Sequence, residues 1–241
     1  VVVVHAHEPL LEKLPFYEDI VDFIADNCEK FFFVSDFVRR SLVSSVSEAT
    51  GKKIAEKSLV VPMGIHMEKF SGVKIIGKTR SGFLFCGRDI ELKGFDLVEK
   101  AFSQMPDLRL TAAGINGNGE SSANIARIGE IPPEELAALL KKSVALIVPS
   151  RAIGKRAEGS PRVILEALAS GCIVAASRTG GIPEMIEHGF NGFLFQPDNV
   201  EEIIETARMI DRRPAILETI RENGIKTAGK HDWSEVVVHY L

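Results

Sequence analysis

Two carboxylates flank the predicted start of a helix in the segment EGSPRVILEALASG, residues 158–171. Glu158 lies just before that start, and Glu166 lies in the middle of an otherwise apolar helix. Ser160 is a favourable N-cap residue and Pro161 suits the first helical position, so the helix is predicted to begin here. The free N–H groups and the dipole of such a helix start favour an anion, for example a phosphate.

The two glutamates suit a different chemical group from the helix start. A carboxylate repels phosphate but accepts hydrogen bonds from paired hydroxyls, as the acidic residue of dinucleotide-binding folds does with a ribose. Glu166 is therefore interpreted as a ribose ligand. An alternative stays open: Arg162 and Glu166, four residues apart, form an ordinary pair on the helix surface, and Glu158 is a solvated loop residue.

A second candidate lies in GRDIELKG, residues 87–94, between a predicted strand and a predicted helix. Arg88 offers a planar fork of donors and Lys93 a mobile point charge, while Gly87 and Gly94 allow close approach of the backbone. Two cations and two glycines in this position predict a phosphate clamp. The alternative is a solvated loop in which Lys93 is incidental.

Glycines and histidines mark further candidate positions. Gly180 and Gly181 follow a predicted strand, where they serve either close approach to a ligand or a tight turn. His5 and His7 face the same side of an extended chain, but no third metal ligand is evident nearby, so a strand-end histidine facing a cleft is preferred. GINGNG, residues 114–119, lacks the G-x-G-x-x-G spacing and the following helix, which excludes a nicotinamide-binding fingerprint.

The loop SRAIGKRAEGS, residues 150–160, is rich in basic side chains. Arg151, Lys155 and Arg156 either reach a phosphate or an anionic acceptor, or are simply solvated. Solvation is the preferred interpretation.

Bulk composition excludes several classes of protein. The chain has 241 residues, of which 45% are hydrophobic and 26% charged, and its net charge of −4 gives no reason to expect nucleic-acid binding. Cys28, Cys86 and Cys172 are odd in number and widely spaced, which predicts buried thiols in a reducing, cytoplasmic compartment. No apolar run reaches the roughly 18 residues of a membrane-spanning helix.

Short apolar runs alternate with amphipathic stretches along the chain, a pattern typical of parallel βαβ units in an α/β fold. A Gly-rich, basic stretch at 64–82 interrupts the alternation and is interpreted as a linker. One long helix is predicted at 36–50, between the second and third strands. Three strands are predicted before the linker and six after it: 1–5, 30–35, 58–63, 82–87, 108–114, 125–131, 144–150, 172–177 and 192–196.

Together these stretches resemble one family, the retaining, nucleotide-sugar-dependent glycosyltransferases of the GT-B fold, known as group 1. The glutamate–seven residues–glutamate block followed by Thr-Gly-Gly is the most specific element of the resemblance. The segments that carry it are VVPMGIHMEKF (60–70), GRDIELKG (87–94), RIGEIPPEELAALLKKSVALIVPS (127–150), EGSPRVILEALASGCIVAASRTGGIPEMIEHGFNGFLFQP (158–197) and HDWSEVVVHYL (231–241).

The resemblance implies two Rossmann-like, doubly wound domains. Residues 1–64 would form part of the acceptor-side domain, 65–81 the linker, 82–227 the donor-binding domain, and 228–241 a helix crossing back to the first domain. The first domain is expected to be incomplete, because a full α/β domain of the family usually takes about 100 residues or more before the linker.

The resemblance also implies roles for individual residues. Arg88 and Lys93 would bind the donor diphosphate and stabilise the leaving group, Glu158 would contact the donor sugar, and Glu166 would hold the ribose. His7, rather than His5, would lie near the reacting sugar. The remaining donor contacts would come from Gly87, from the backbone of Gly159, Ser160 and Pro161, and from Ile128 in the base pocket.

The activity implied by the resemblance is transfer of a sugar, most simply a hexosyl group, to an acceptor hydroxyl with retention of configuration. The donor base (uridine, guanosine or adenosine) and the acceptor (a glycan, a lipid or a small molecule) stay open. No cofactor or metal is expected, because Arg and Lys take the metal's role and no Asp-x-Asp motif is present. The resemblance leaves open a peripheral contact with the cytoplasmic face of a membrane, through upstream parts of the first domain.

Two other functions compete with transfer. The first is a catalytically silent fragment that binds a nucleotide sugar, and the second is an epimerase of GT-B fold. A phosphorylase is disfavoured because no lysine in a pyridoxal-type context is evident. The signature block is of the transferase type, which disfavours the epimerase.

Overall fold

The structure is a computed structural model that describes residues 1–4, 12–70, 80–117, 122–212 and 215–240. The chain forms two parallel β-sheets, each with helical crossovers, which we call the first unit and the second unit. Among the described residues, no helix is long and apolar enough to cross a bilayer.

The first unit contains a three-stranded parallel sheet in the order β1-β2-β3. Its strands are Val2–Val4, Phe31–Phe33 and Ser58–Val60. Helix α1 (Tyr17–Asn27) joins β1 to β2, and helices α2 (Asp36–Val43) and α3 (Glu48–Glu56) join β2 to β3. β2 is central and fully buried, and the rings of Phe31 and Phe33 stack with centroids 6.1 Å apart.

The single helix predicted at 36–50 is wrong, because the structure has two helices there. α2 ends at Val43, and Ser47 then caps α3 by accepting the N–H of Thr50 at 3.4 Å. Serines bond readily to nearby backbone groups and favour caps over helix interiors. The serine-rich stretch between the two helices therefore ends one helix and starts the next.

The second unit contains six parallel strands in the order β6-β5-β4-β7-β8-β9. The chain starts at the centre with β4, builds outward through β5 and β6, and then returns to β7 on the other side. Crevices at such a reversal of strand order bind ligands at the carboxyl ends of the strands. The strands are Phe83–Cys86, Leu110–Ala113, Ile125–Gly129, Ala145–Val148, Ile173–Ser177 and Phe193–Phe195.

Helices cover both faces of this sheet, which explains why β7 and β8 are buried at every position. α5 and α9 pack on one face, and α6 and α7 on the other. The helices are α4 (Met67–Phe70), α5 (Phe95–Ser103), α6 (Pro133–Lys142), α7 (Arg162–Ala169), α8 (Ile182–Met185), α9 (Val200–Asp211), α10 (Ile216–Gly229) and α11 (Trp233–Val236).

The C-terminal segment returns from the second unit to the first. Ile65 donates its N–H to the carbonyl of His231 at 2.8 Å, and Trp233 donates to the carbonyl of Ile65 at 3.0 Å. Beyond α11, the ring of Tyr240 packs against Phe32 of the central strand β2, with centroids 4.8 Å apart. The chain therefore passes between the units near Ile65 and again in the C-terminal segment, and these two stretches are hydrogen-bonded to each other.

Candidate functional site

The clamp GRDIELKG lies at the carboxyl end of β4, next to the end of β7. A short 3-10 turn, Glu91–Lys93, leads into α5 through Gly94. Gly94 has φ +67°, and a Cβ there would collide with the carbonyl oxygen of Pro149. Only glycine fits this close approach, which places Lys93 beside the loop that follows β7.

Lys93 and Glu158 form an ion pair across that edge. The Lys93 Nζ lies 2.6 Å from the Glu158 Oε1, and the two side chains are only 21% and 12% exposed. Neither residue is a solvated loop residue, so both alternatives from the sequence are wrong about exposure. Two residues that the sequence singled out separately, Lys93 and Glu158, therefore contact each other at this edge of the sheet.

Helix α7 begins one residue later than predicted. Pro161 is the N-cap, with an extended ψ of 107°, and Arg162 is the first helical residue. The prediction of Ser160 as N-cap is wrong; its hydroxyl instead contacts the Met185 sulfur at 3.7 Å. Proline has no side-chain acceptor for the first N–H groups, so the helix start has no side-chain cap and suits an anion.

Glu166 is buried, with 8% of its surface exposed. Arg162 Nε donates to its Oε1 at 3.0 Å, while the Arg162 side chain itself is 63% exposed. Burial raises the pKa of Glu166, and the Arg162 charge opposes that rise. The predicted contact between Arg162 and Glu166 is therefore present. It is not an ordinary surface pair, however, because the Glu166 carboxylate is buried.

Arg88 and Ile128 are the exposed members of the predicted set. Arg88 follows the end of β4 and is exposed, and no ion-pair partner for it occurs in the part of the chain that the structure describes. Ile128, on β6, is 38% exposed. The neighbouring Arg127 instead pairs with Glu99 and stands 5.3 Å above the ring of Phe95, on the α5 side.

The Gly180-Gly181 turn packs against the loop that carries Glu158. Gly181 donates its N–H to the carbonyl oxygen of Glu158 at 2.8 Å. A Cβ on Gly180 would collide with that same carbonyl oxygen, and a Cβ on Gly181 would collide with the carbonyl oxygen of Gly159. The close approach that these glycines allow is to the protein's own backbone.

The basic loop is not simply solvated. Arg151 donates to both carboxylate oxygens of Asp96 at 2.6 Å and to Asp198 at 2.6 Å. This guanidinium holds the pKa of Asp96 below its usual value. Lys155 pairs with Glu12 of the first unit at 2.8 Å. The preferred interpretation of the loop is therefore wrong for Arg151, whose side chain is 15% exposed, and right for Lys155, whose side chain is 65% exposed.

Sequence reasoning missed these carboxylate partners. The available signal was the presence of Asp96 and Asp198 in segments that leave the same edge of the sheet as the loop. Parallel strands bring their carboxyl ends together, so charges in those segments meet across long distances in sequence.

Histidines and cysteines complete the set of candidates. His7, like His5, falls outside the residues that the structure describes. Cys28, Cys86 and Cys172 are free thiols, and burial raises the pKa of Cys86 to about 11. Within the described ranges, no group of three or more His, Cys, Asp or Glu side chains is arranged to hold a metal ion.

Comparison with known proteins gives one consistent family. Residues 67–227 match the model of the family Glycosyl transferases group 1. The chain is 25% identical over 220 residues to the uncharacterized glycosyltransferase MJ1178 of Methanocaldococcus jannaschii, covering 88% of this chain and 58% of that protein. It is 24% identical over 242 residues to a GDP-mannose-dependent alpha-(1-6)-phosphatidylinositol monomannoside mannosyltransferase of Mycobacterium tuberculosis, covering 88% and 60%.

Solved structures show the same fold. Anabaena Alr3699/HepE in complex with UDP has a TM-score of 0.81 at 18% identity, covering 99% of this chain and 70% of that one. Sucrose-phosphate synthase from Thermosynechococcus elongatus has a TM-score of 0.79 at 18% identity, covering 99% and 65%. These likenesses confirm the predicted α/β fold of GT-B type. The chain spans about three-fifths of the length of the curated relatives described above.

Proposed function

The chain belongs to the group 1 family of glycosyltransferases, and from that premise we propose that it binds a nucleotide-diphosphate sugar and transfers the sugar to an acceptor hydroxyl. One observation carries the proposal. The buried carboxylate of Glu166 and the partly buried carboxylate of Glu158 flank an uncapped helix start, and Lys93 lies against Glu158 at the same edge of the sheet.

The diphosphate would lie between Arg88, Lys93 and the start of α7. Negative charge builds up on the diphosphate as the bond to the sugar breaks. Fixed cations and backbone N–H groups aimed at that charge stabilise the transition state, each well-placed donor by about 3 kcal/mol. Lys93 already lies at this edge of the sheet, paired with Glu158, and would exchange that partner for the leaving group.

Glu166 would accept hydrogen bonds from the ribose hydroxyls. Its burial excludes water from the carboxylate, which leaves hydroxyl donors of a ligand as the natural partners beside Arg162. The neighbour Alr3699/HepE was solved with UDP and with UDP-glucose, which supports a nucleotide-sugar donor for a protein of this fold.

From the resemblance to the family we also propose that the chain transfers a hexosyl group with retention of configuration. We further propose that it needs no metal and that it is located in the cytoplasm. His7 would lie near the reacting sugar, and Ile128 would line the base pocket. Arg88 and Lys93 supply positive charge where other transferases use a divalent cation, so nucleotide binding is expected to persist in EDTA.

A second candidate function is nucleotide-sugar binding without turnover. It would use the same residues, Lys93, Glu158 and Glu166, to hold the donor. The two candidates share the donor site and differ only in whether the bound sugar is released or transferred.

Calorimetric titration of the chain with UDP, GDP and ADP tests the donor site. We expect saturable binding of one nucleotide, weakened about tenfold or more by Glu166→Ala, which removes two hydroxyl contacts. Glu205→Ala, the same change on the exposed side of α9, is the control and is expected to bind normally. Absence of binding by all three nucleotides, in a folded chain, would contradict the proposal.

A further inference from the structure

Glu184 makes a contact between the two units that the donor site does not explain. It lies in α8 of the second unit, directly after the Gly180-Gly181 turn. Its carboxylate accepts the N–H of Asp36 and the N–H of Phe37, both at 2.7 Å. Those two residues open α2 of the first unit, 148 and 147 positions away in sequence.

The contact completes the cap of α2. The first N–H groups of a helix have no partner within the helix. Ser35, the N-cap, accepts the N–H of Val38 at 3.3 Å, which leaves the N–H groups of Asp36 and Phe37 to Glu184. A negative charge is also favoured at a helix N-terminus. The first N–H groups of α2 are therefore capped by Ser35 of the first unit and by Glu184 of the second unit.

The turn that carries Glu184 is seated directly on α2. An ideal Cβ on Gly181 would lie 3.0 Å from the Ser35 hydroxyl oxygen. The same residue bonds to the carbonyl of Glu158, as described above. Contacts therefore lead from the start of α2, through the glycine turn, to the loop that carries Glu158.

We propose that Glu184 is a positioning residue that clamps the first unit onto the donor site. By holding α2 against the glycine turn, it fixes the distance between the acceptor side and the backbone of Glu158. Lys155, in the middle of the same loop, also pairs with Glu12 of the first unit. The role rests on the proposed function, because the clamp positions that donor site, but Glu184 itself does not touch the donor.

Hydrogen exchange resolved to single amides tests the Glu184 contact in the full chain. We expect Glu184→Ala to speed exchange of the Asp36 and Phe37 amides by about tenfold or more, because both lose their acceptor. Glu184→Gln keeps one carbonyl oxygen and is expected to restore part of the protection. Glu187→Ala, the same charge change three residues further along, is the matched control and is expected to leave both amides unchanged.

Small-angle scattering shows whether the cap also holds the units together. We expect a larger radius of gyration for Glu184→Ala than for the wild type, the Gln variant and the Glu187→Ala control. Unchanged exchange of the Asp36 and Phe37 amides would overturn the proposed role of Glu184. Faster exchange with an unchanged radius of gyration would also overturn it, because the contact would then be a local cap only.

The nucleotide titration separates this proposal from the proposed function. The predicted diphosphate and ribose contacts all come from the second unit, so Glu184→Ala is expected to bind nucleotide within about twofold of the wild type. A wild-type chain that binds no nucleotide would contradict the proposed function, while exchange at Asp36 and Phe37 would still report on the clamp. A large loss of nucleotide binding in Glu184→Ala alone would place Glu184 in the donor site and overturn the positioning role.

Discussion

At the scale of single residues, Lys93, which is proposed to bind the diphosphate, already has an anionic partner. The Lys93 ammonium lies 2.6 Å from the Glu158 carboxylate, and both side chains are largely buried. A diphosphate that takes up Lys93 must therefore replace Glu158 as its partner. Glu158 then becomes available for another donor, such as a hydroxyl of the sugar.

Replacing Glu158 by Gln separates these two roles. We expect Glu158→Gln to bind a nucleoside diphosphate about three- to tenfold more tightly, because Lys93 is no longer neutralised and a nearby negative charge is gone. The nucleoside diphosphate carries no sugar, so loss of a sugar contact does not affect the measurement. The affinity is measured by calorimetry.

The control for this change is Glu91→Gln, an exposed carboxylate two residues before Lys93, which is expected to alter affinity by less than about twofold. Equal or weaker binding by Glu158→Gln would show that Glu158 does not compete for Lys93.

At the scale of elements, one glycine holds the segment GRDIELKG against the end of β7. Gly94 combines a left-handed φ of +67° with a contact to the Pro149 carbonyl that no side chain can share. Lys93 reaches Glu158 only because the turn and the loop approach this closely. The predicted phosphate clamp therefore depends on the close approach of the Gly94 turn to Pro149 as well as on Lys93 itself.

Gly94→Ala is expected to lower the free energy of unfolding by at least about 2 kcal/mol, from backbone strain and from the collision with Pro149. Gly154→Ala is the matched control, because Gly154 has a similar φ of +59° but open space around its Cβ position. It should cost only about 1 kcal/mol, the strain of the left-handed conformation. Urea denaturation of both variants measures the difference, and equal losses would contradict a role for the Pro149 contact.

Local patterns explain how far the elements were predictable. The nine predicted strands are all present, because each is a short apolar run bounded by polar or glycine-rich stretches. The start of α7 was predicted one residue too early, since Ser160 and Pro161 both suit a helix start and only the backbone angles decide between them. The break between α2 and α3 depends on serine hydrogen bonds that periodicity does not show.

At the scale of the whole molecule, the two units are connected by chain crossings and by side-chain contacts. The crossings pair Ile65 with His231 and Trp233, and the side-chain contacts include those of Glu184 and Lys155. No local pattern predicts these contacts, because each joins residues about 140 or more positions apart. Three proposed donor residues, Arg88, Lys93 and Glu158, lie in loops that follow the carboxyl ends of parallel strands, so their shared edge of the sheet follows from the predicted fold type.

A comparison of a nucleoside diphosphate with the corresponding monophosphate, using the base selected in the titration, tests whether Arg88 and Lys93 bind the diphosphate. We expect the diphosphate to bind the wild type more than tenfold more tightly, since charged hydrogen bonds to the second phosphate are worth about 1.5–3 kcal/mol. In Arg88→Ala/Lys93→Ala that ratio is expected to fall to nearly one, while the exposed control Lys100→Ala keeps it. A ratio that is unchanged in the double variant would contradict the assignment of Arg88 and Lys93 to the diphosphate.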